Sequence, residues 1–216
     1  MPAYVAVASF RTDPPDAVLL PEEEPCVAAA VPVRRAEFTT VRQAARLALA
    51  RLGHGPVPIL PGPGRAPTWP TGYVGSMTHC TGYRAAAVAR ATDLAGIGVD
   101  AEENAPLPPD LDGLILFDHE PRHVADLAER HPGTHWDRLI FSAKESVYKV
   151  WSPLTGRWLG FEQARVQVSP ADGTFTVRVD APDAGRLAVL TGRFMVADGL
   201  IGTAITVPAS PAADRG

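Results

Sequence analysis

The first half of the chain has the hydrophobic spacing of one strand followed by one long helix. Residues 4–10 are apolar and β-prone, which predicts a first strand. From Val33 to Leu52 the apolar residues recur every three or four positions, and Gly53 follows at a usual place for a helix stop. Residues 53–72 are rich in proline and glycine, and this composition predicts a loop.

A pair of strands is predicted in the middle of the chain. Residues Tyr83–Arg90 and Ala95–Glu102 are short apolar runs separated by a turn-like segment. The preceding stretch, Gly75–Cys80, contains small and hydroxyl side chains and is interpreted as a loop. Residues 104–110 contain three prolines, so they predict a linker between two halves of the chain.

The second half predicts helical pieces, a further long helix and four short strands. Helical pieces are expected over residues 111–131. Thr134 and Asp137 resemble a capping box before an apolar stripe that ends near Trp151. Residues 208–216 are small and polar, and we expect this tail to be disordered. The predicted strands are Glu162–Val168, Thr174–Asp180, Arg193–Ala197 and Ile201–Val207.

Composition restricts the class of protein. Of the 216 residues, 46% are hydrophobic and 20% are charged, which is typical of a soluble globular protein. There is no signal-peptide pattern and no run of about 18 apolar residues, so we expect a cytoplasmic protein without a membrane span. With only Cys26 and Cys80, neither a disulfide framework nor a zinc site is indicated. The net charge of −4 argues against nucleic-acid binding.

The basic residues are distributed unevenly. Between Arg34 and Arg90 there are eight arginines and one acid, Glu37. This distribution favours a local anion site, and a solvated basic face is the alternative. Lys144 and Lys149 are the only two lysines in the chain, and they flank an acid. A compact, ionisable ammonium group is chemically different from guanidinium, so this placement indicates a function.

Asp100 and Glu102 form the first candidate site. In a strand, Asp100 and Glu102 share one face with Gly96 and Gly98. The Cα atoms of Asp100 and Glu102 are then about 6.6 Å apart. Two carboxylates beside glycines suit Mg²⁺, which completes its shell with water and phosphate oxygens. An exposed acidic strand end is the alternative interpretation.

Glu145 lies between the two lysines on the predicted long helix. Glu145 and Lys149 are four residues apart, which is the spacing of an ordinary helical ion pair. The functional interpretation is a third carboxylate for the metal, with lysines for phosphate binding and proton transfer. In the stretch 75–80, Ser76, Thr78 and His79 could supply phosphate donors, although a lone histidine is more often structural.

Three segments in this order resemble the Sfp/EntD-type 4'-phosphopantetheinyl transferases. The family pattern contains a Gly-Ser-x-Thr-His segment, a Gly-x-Asp-x-Glu strand and a Lys-Glu-x-x-x-Lys helix. Further segments resemble the actinobacterial branch of this family. The three motifs are Gly75–His79, Ile97–Glu102 and Phe141–Lys149, and the actinobacterial segments are Arg34–Arg46, Trp69–Ser76 and Arg157–Glu162.

This resemblance implies an α/β (α+β) fold that is a pseudo-dimer of two similar halves, each an antiparallel sheet packed on a long helix. The halves are predicted at residues 1–103 and 104–216, with coenzyme A in the cleft between them. The implied reaction transfers the 4'-phosphopantetheine arm of coenzyme A to a serine of an apo acyl or peptidyl carrier protein. Such carriers belong to polyketide, nonribosomal peptide and siderophore biosynthesis. We expect a cytoplasmic monomer.

The resemblance also implies roles for individual residues. Glu145 and Lys149 are the expected catalytic pair, and Mg²⁺, or alternatively Mn²⁺, is expected on Asp100, Glu102 and Glu145. Family members often have a lysine near Gly62 where this chain has Pro61, and Arg65 is expected to replace that cation. The residues expected to bind coenzyme A are Arg34, Arg42, Gly62, Arg65, Ser76, Thr78, His79 and Lys144.

Two other functions are compatible with the same residues. Three carboxylates and nearby arginines would also serve a magnesium-dependent nucleotide phosphohydrolase. A non-catalytic coenzyme A-binding protein is the second alternative, although the intact Lys-Glu-x-x-x-Lys pattern argues against it because a binder needs no base.

Overall fold

The computed structural model describes residues 1–210, and its first part is a three-stranded antiparallel sheet covered by one helix. The elements are β1 (Ala6–Phe10), α1 (Pro32–Arg51), β2 (Tyr73–Cys80) and β3 (Tyr83–Arg90), with strand order β1-β3-β2. Proline at the first position of α1 suits a helix start, because that position needs no N–H donor. Alanines on α1 and β3 are fully buried, so helix and sheet approach closely.

The second part is a larger antiparallel sheet of five strands in the order β4-β8-β7-β6-β5. Between β4 and β5 the chain forms three helices, and α4 packs against β4 and β8. The elements are β4 (Leu94–Glu103), α2 (Asp112–Ile115), α3 (Glu120–Arg130), α4 (Trp136–Thr155), β5 (Ala164–Ser169), β6 (Thr174–Val179), β7 (Val189–Ala197) and β8 (Leu200–Pro208).

The same order of elements occurs in both parts. In the first part a strand (β1) is followed by a long helix and a hairpin whose second strand pairs with β1. In the second part β4 is followed by α4 and by the β7–β8 hairpin, whose second strand pairs with β4. Strand β4 precedes residue 104 but belongs to the second sheet. The division of the chain after residue 103 therefore stays a prediction, and hydrogen bonding groups β4 with the strands that follow.

The two sheets meet along β2 and β4. The Ser76 hydroxyl accepts a hydrogen bond from the Val99 N–H at 3.1 Å, and the Thr78 hydroxyl accepts one from the Ala101 N–H at 3.0 Å. These side-chain bonds satisfy backbone groups of β4 that no strand reaches on that side. Strand β2, with its small and hydroxyl side chains, therefore joins the two parts of the molecule.

Helix α4 lies against β4 at very short range. A Cβ atom at Gly98 would lie 1.9 Å from the Ser146 carbonyl oxygen, so only glycine fits at this crossing. The helix extends past Trp151 to Thr155 and ends at Gly156, which has a left-handed φ of 67°. None of the helices within residues 1–210 is both long and apolar enough to cross a membrane.

Two local predictions were wrong. Residues 75–80 are not a loop but most of strand β2, which pairs with β3 along its whole length. Thr134 does not cap α4: His135 is the N-cap without a side-chain cap bond, and the Asp137 carboxylate instead accepts the Leu107 N–H at 2.7 Å. Tertiary bonds override local propensity in both places. Residues 211–216 of the predicted disordered tail lie outside the described part of the chain.

Candidate active site

A cleft of about 740 Å³ lies between the two parts of the molecule. Its walls come from α1 and β2 on one side and from β4 and α4 on the other, with the loop before β2 at its edge. This volume lies within the range of small-molecule and cofactor sites. The predicted site residues that line it are Arg34, Arg42, Arg65, Ser76, His79, Glu145 and Lys149.

Asp100 lies directly behind the cleft wall, where it contacts the cleft residue Lys149. Its Oδ1 atom accepts a hydrogen bond from Lys149 Nζ at 2.6 Å and one from the Thr78 hydroxyl at 3.3 Å. Its other carboxylate oxygen, Oδ2, is buried and has no hydrogen-bond partner. An unpaired buried carboxylate oxygen is costly, so this atom is a candidate ligand for a cation.

Two further carboxylates near Asp100, those of Glu102 and Glu145, have raised pKa values. Burial raises the pKa of Glu102 to about 7, the negative charge of Asp100 adds to this rise, and Arg138 opposes it. Arg138 donates to a Glu102 carboxylate oxygen at 3.0 Å. Burial raises the pKa of Glu145, Lys149 opposes the rise, and Asp100 adds to it. Three carboxylates lie here near two cations, Lys149 and Arg138.

These acids fit a divalent cation in chemistry but do not form a ready ligand shell. The buried Asp100 Oδ2 atom without a hydrogen-bond partner, next to two further carboxylates, is a donor set that suits a divalent cation. Within residues 1–210, however, no three acid, histidine or cysteine side chains converge closely enough to hold an ion. The structure thus brings Asp100 next to Lys149, and Glu102 remains paired with Arg138.

Arginines from α1 and a histidine from β2 form the basic wall of the cleft. Arg34 donates to His79 Nε2 at 2.6 Å, and Glu37 lies 3.5 Å from both side chains. Burial and the Arg34 charge lower the pKa of His79, so its neutral ring accepts this bond. Arg42 is buried over the Phe38 ring, and burial lowers its pKa to about 10, which leaves it charged at neutral pH.

Two predicted coenzyme A residues have structural contacts instead. The Ser76 hydroxyl accepts a backbone N–H of β4, although Ser76 also lines the cleft. Thr78 does not line the cleft, because its hydroxyl lies between the Ala101 N–H and Asp100. Gly62 lies outside the cleft wall, and a Cβ there would come within 2.8 Å of the Thr68 hydroxyl. Arg65 does line the cleft, at a left-handed φ of 63°.

Lys144, which is predicted to bind coenzyme A, lies away from the cleft in this structure. Its side chain is fully buried and does not line the cleft. The Nζ atom donates to the Glu120 carboxylate at 2.7 Å and to the carbonyl oxygens of Ile115 and Phe161 at 2.7 Å and 2.9 Å. All three ammonium hydrogens are therefore used inside the protein, and none is directed at a bound phosphate.

Sequence reasoning missed several residues of this region. Glu120 was not singled out, because an acid in a predicted surface segment is usually exposed. Trp69 lines the cleft, and its buried indole N–H has no acceptor. The available signal for Trp69 was its place at the start of the Trp69–Ser76 segment, shortly before Gly72 and Gly75.

Tyr148 was not missed: it lies in the Phe141–Lys149 motif, and the family resemblance predicts it beside the pantetheine arm together with Trp158 and Leu159. It lines the cleft, and its ring centroid is 5.1 Å from that of Trp158, which is 76% exposed.

Comparison with known proteins decides the family. A model of the 4'-phosphopantetheinyl transferase N-terminal domain matches residues 22–89, and a model of the 4'-phosphopantetheinyl transferase superfamily matches residues 96–193. The chain is 51% identical to the 4'-phosphopantetheinyl transferase Svp of Streptomyces mobaraensis, over 97% of this chain and 88% of Svp. The chain belongs to the 4'-phosphopantetheinyl transferase family.

Other relatives agree with this family. The 4'-phosphopantetheinyl transferase PptT of Mycobacterium tuberculosis is 44% identical over 94% of this chain and 92% of PptT. Enterobactin synthase component D of Salmonella typhi is 35% identical over 62% of this chain and 54% of that protein. The predicted resemblance, including its actinobacterial character, is confirmed. The chain is thus a transferase enzyme that moves the 4'-phosphopantetheine arm of coenzyme A to carrier proteins.

Proposed function

We propose that the cleft between the predicted halves, 1–103 and 104–216, binds coenzyme A and that α4 supplies the catalytic groups. The observation that carries this proposal is the placement of Glu145 and Lys149. They lie one helical turn apart, both line the cleft, and burial raises the pKa of Glu145. A carboxylate with a raised pKa is a suitable acceptor for a proton at neutral pH.

The proposed reaction is one displacement at phosphorus. The hydroxyl oxygen of the carrier serine forms a bond to the phosphorus that bears the pantetheine arm, and the bond from that phosphorus to adenosine 3',5'-bisphosphate breaks. Glu145 takes the serine proton, directly or through one water. Lys149 carries the positive charge that offsets negative charge on the leaving oxygen.

A divalent cation is proposed for the acid cluster. Asp100, Glu102 and Glu145 would hold Mg²⁺, or alternatively Mn²⁺, with the unpaired Asp100 Oδ2 atom as the first candidate ligand. When bound, the ion would neutralise the diphosphate and align the phosphoryl group. Sharing such an ion requires Glu102 to exchange its bond with Arg138, because the three acids do not converge in this structure.

The basic wall is proposed to hold the phosphates and the nucleotide. Arg34 and Arg42 on α1 and His79 on β2 border the cleft, and Ser76 adds a hydroxyl. Arg65 is proposed to replace the cation that family members place near Gly62. Thr78 is proposed to act through Asp100, to which it donates a hydrogen bond, rather than on phosphate.

The test is mass spectrometry of intact apo carriers after incubation with coenzyme A and Mg²⁺. We expect a gain of roughly 340 Da on the carrier, which is the mass of the transferred arm. Incubation without a carrier is the control, because a nucleotide phosphohydrolase would release phosphopantetheine to water. Unmodified carriers together with intact coenzyme A would indicate a non-catalytic binder and would contradict the proposal.

The choice of carrier is proposed from the relatives. Enterobactin synthase component D is named for siderophore assembly, so we include siderophore carriers with polyketide and nonribosomal peptide carriers. We further propose a cytoplasmic monomer, because one chain supplies both walls of the cleft. Light scattering coupled to size-exclusion chromatography measures the oligomeric state, and a stable dimer would contradict the proposed monomer.

A further inference from the structure

A buried ion pair connects the catalytic helix to the segments behind it. Lys144 on α4 and Glu120 at the start of α3 are both fully buried, and their charged atoms are 2.7 Å apart. Glu120 also accepts the N–H of Phe117 at 2.8 Å through Oε2 and the N–H of Val166 at 2.8 Å through Oε1. Every polar atom of this pair is thus hydrogen-bonded within the protein.

Besides Phe117, the pair contacts three further segments. Lys144 reaches the end of α2 at Ile115 and the turn after α4 at Phe161, while Glu120 reaches β5 at Val166. Replacing either partner would leave the other charge buried without compensation, which is strongly unfavourable. Because separating the two charges is so unfavourable, the ion pair holds α4 in place at Lys144.

The fixed point is next to the proposed base. Successive residues on an α-helix are rotated by about 100°, so Lys144 and Glu145 leave α4 in different directions. Lys144 is buried against Ile115 and Glu120, and Glu145 lines the cleft. One turn later, Lys149 donates to the Val99 carbonyl at 3.1 Å and to Asp100. The contacts of Lys144 before Glu145 and of Lys149 after it therefore fix the rotation of α4 about its axis.

We propose that Glu120 and Lys144 are positioning residues for the transfer reaction, because their ion pair directs Glu145 into the cleft. This proposal rests on the proposed role of Glu145 as proton acceptor. Lys144 acts through α4 rather than on coenzyme A. A displacement of about 1 Å at a reacting group lowers rates by up to about 100-fold, so a small rotation of α4 is sufficient to impair turnover.

The test separates positioning from phosphate binding by kinetics. The variants are Glu120→Gln, Lys144→Met and the double variant, with coenzyme A and an apo carrier that the wild-type protein modifies. We expect each single variant to lower kcat by about 10- to 100-fold. The KM for coenzyme A should change by less than about threefold, because no contact with it is lost. The double variant should be no slower than the slower single variant, because both remove one interaction.

Two results would overturn the proposal. The first is a rise of about tenfold or more in the KM for coenzyme A in Lys144→Met alone, which would identify Lys144 as a phosphate ligand. The second is an unchanged kcat in both single variants. A wild-type protein that leaves coenzyme A and carrier unreacted contradicts the proposed function instead, so the two failures are distinguishable.

Folding is controlled separately. Calorimetric titration with coenzyme A, without a carrier, measures whether each variant keeps its cleft. If Glu120→Gln does not fold, Glu120→Asp is used in its place, and if Lys144→Met does not fold, Lys144→Arg is used. Both conservative variants keep the charge but change the length or shape of the side chain. We expect these variants to bind coenzyme A normally and to lose at least about threefold in kcat. An unchanged kcat in both conservative variants overturns the proposal.

Discussion

Each part of the molecule contains one buried glutamate that binds its long helix, and in the first part this residue is Glu23. Its carboxylate accepts the N–H of Leu20, three residues earlier, at 2.9 Å and the N–H of Ile59 at 2.8 Å. Arg46 on α1 donates to both carboxylate oxygens, at 2.8 Å and 3.1 Å. Glu23 is completely buried, so α1 is held to the loop that borders the cleft.

Glu120 repeats this pattern in the second part. It accepts the N–H three residues earlier, from Phe117, and a distant N–H, from Val166, while Lys144 on α4 supplies the cation. The acid and its helix cation are 23 residues apart in the first part and 24 residues apart in the second. The repeated strand order and these two buried acids support the proposal that the chain is a pseudo-dimer.

The two helices differ at the next residue. After Lys144, α4 has Glu145 in the cleft wall, whereas α1 has Leu47 after Arg46, and Leu47 is 41% exposed. The same scaffold therefore holds both helices, but only α4 presents a titratable group beside its buried cation. Helix α1 contributes arginines to the cleft instead. This difference supports the proposal that the first part mainly binds coenzyme A and that the second part carries out the chemistry.

The largest expected effect tests the catalytic role of α4. Glu145→Gln keeps the size of the side chain but removes the proton acceptor, so kcat should fall by about 100- to 10,000-fold. Coenzyme A affinity, measured by calorimetry without metal, should stay close to that of the wild-type protein. The matched control is Glu129→Gln, an exposed glutamate of α3, which should leave kcat unchanged. Wild-type turnover in Glu145→Gln would contradict the proposal that α4, unlike α1, supplies the catalytic group.

The second prediction compares the two buried acids directly. Glu23→Gln and Glu120→Gln should each lower the free energy of unfolding by about 3–5 kcal/mol, because a buried cation loses its partner. Urea unfolding measures this loss. Only Glu120→Gln should reduce kcat, whereas Glu23→Gln should weaken coenzyme A binding through Arg42, whose Nε atom is 4.0 Å from Glu23. Equal losses of kcat in both variants would contradict the division of roles.

The third prediction concerns how closely each helix approaches its sheet. In the first part α1 lies on alanines, whereas in the second part α4 crosses β4 at Gly98. Gly98→Ala forces a methyl group against the Ser146 carbonyl, so stability should fall by about 1–3 kcal/mol and kcat should fall with it. Gly202→Ala on β8 is the control, because no atom lies within 4 Å of the added methyl group. Thermal unfolding that fails to separate these two variants would contradict the prediction.

Much of the fold was predictable because, in long periodic segments, the hydrophobic spacing agrees with the local structure and with the face that is buried. The predicted α1, β3, β4 and α4 are all present, with ends that differ by a few residues. Strand β2 was not predictable, since Gly75, Ser76 and Thr78 have loop-like side chains. Their strand conformation depends on β3 on one side and on backbone N–H groups of β4 on the other. Such partners are distant in sequence, so local propensity does not show them.

The site was predictable in composition but only partly in geometry. Glu145 and Lys149, which the motifs predict as the catalytic pair, both line the cleft. The motifs grouped Lys144 with the same chemistry, whereas the structure buries Lys144 against Glu120. Helix geometry alone did not separate these residues, because the adjacent Tyr148 and Lys149 both line the cleft. The burial of Glu120 was not predictable either, because its partner Lys144 comes from another helix.

The smallest predicted effect concerns α3, which is absent from the first part. After Glu23 the chain forms only a short 3-10 turn, Glu24–Val27, whereas Glu120 begins α3 beside the edge strand β5. On α3, His123 Nε2 accepts the Val168 N–H at 3.0 Å. Burial lowers the pKa of His123, the neighbouring His119 lowers it further, and Asp126 and Glu120 oppose this.

A histidine whose folded pKa is lowered binds protons more readily in the unfolded chain. Its contribution to stability is therefore present above the unfolded pKa of about 6.5 and is lost as the pH falls through the lower folded value. The pH dependence of unfolding should thus be steeper below about pH 6.5 in the wild-type protein than in His123→Gln, since the variant has no titrating ring at this bond. Urea midpoints measured across this range give the difference. Parallel curves for both proteins would contradict the assignment of this pH dependence to the bond between His123 and β5.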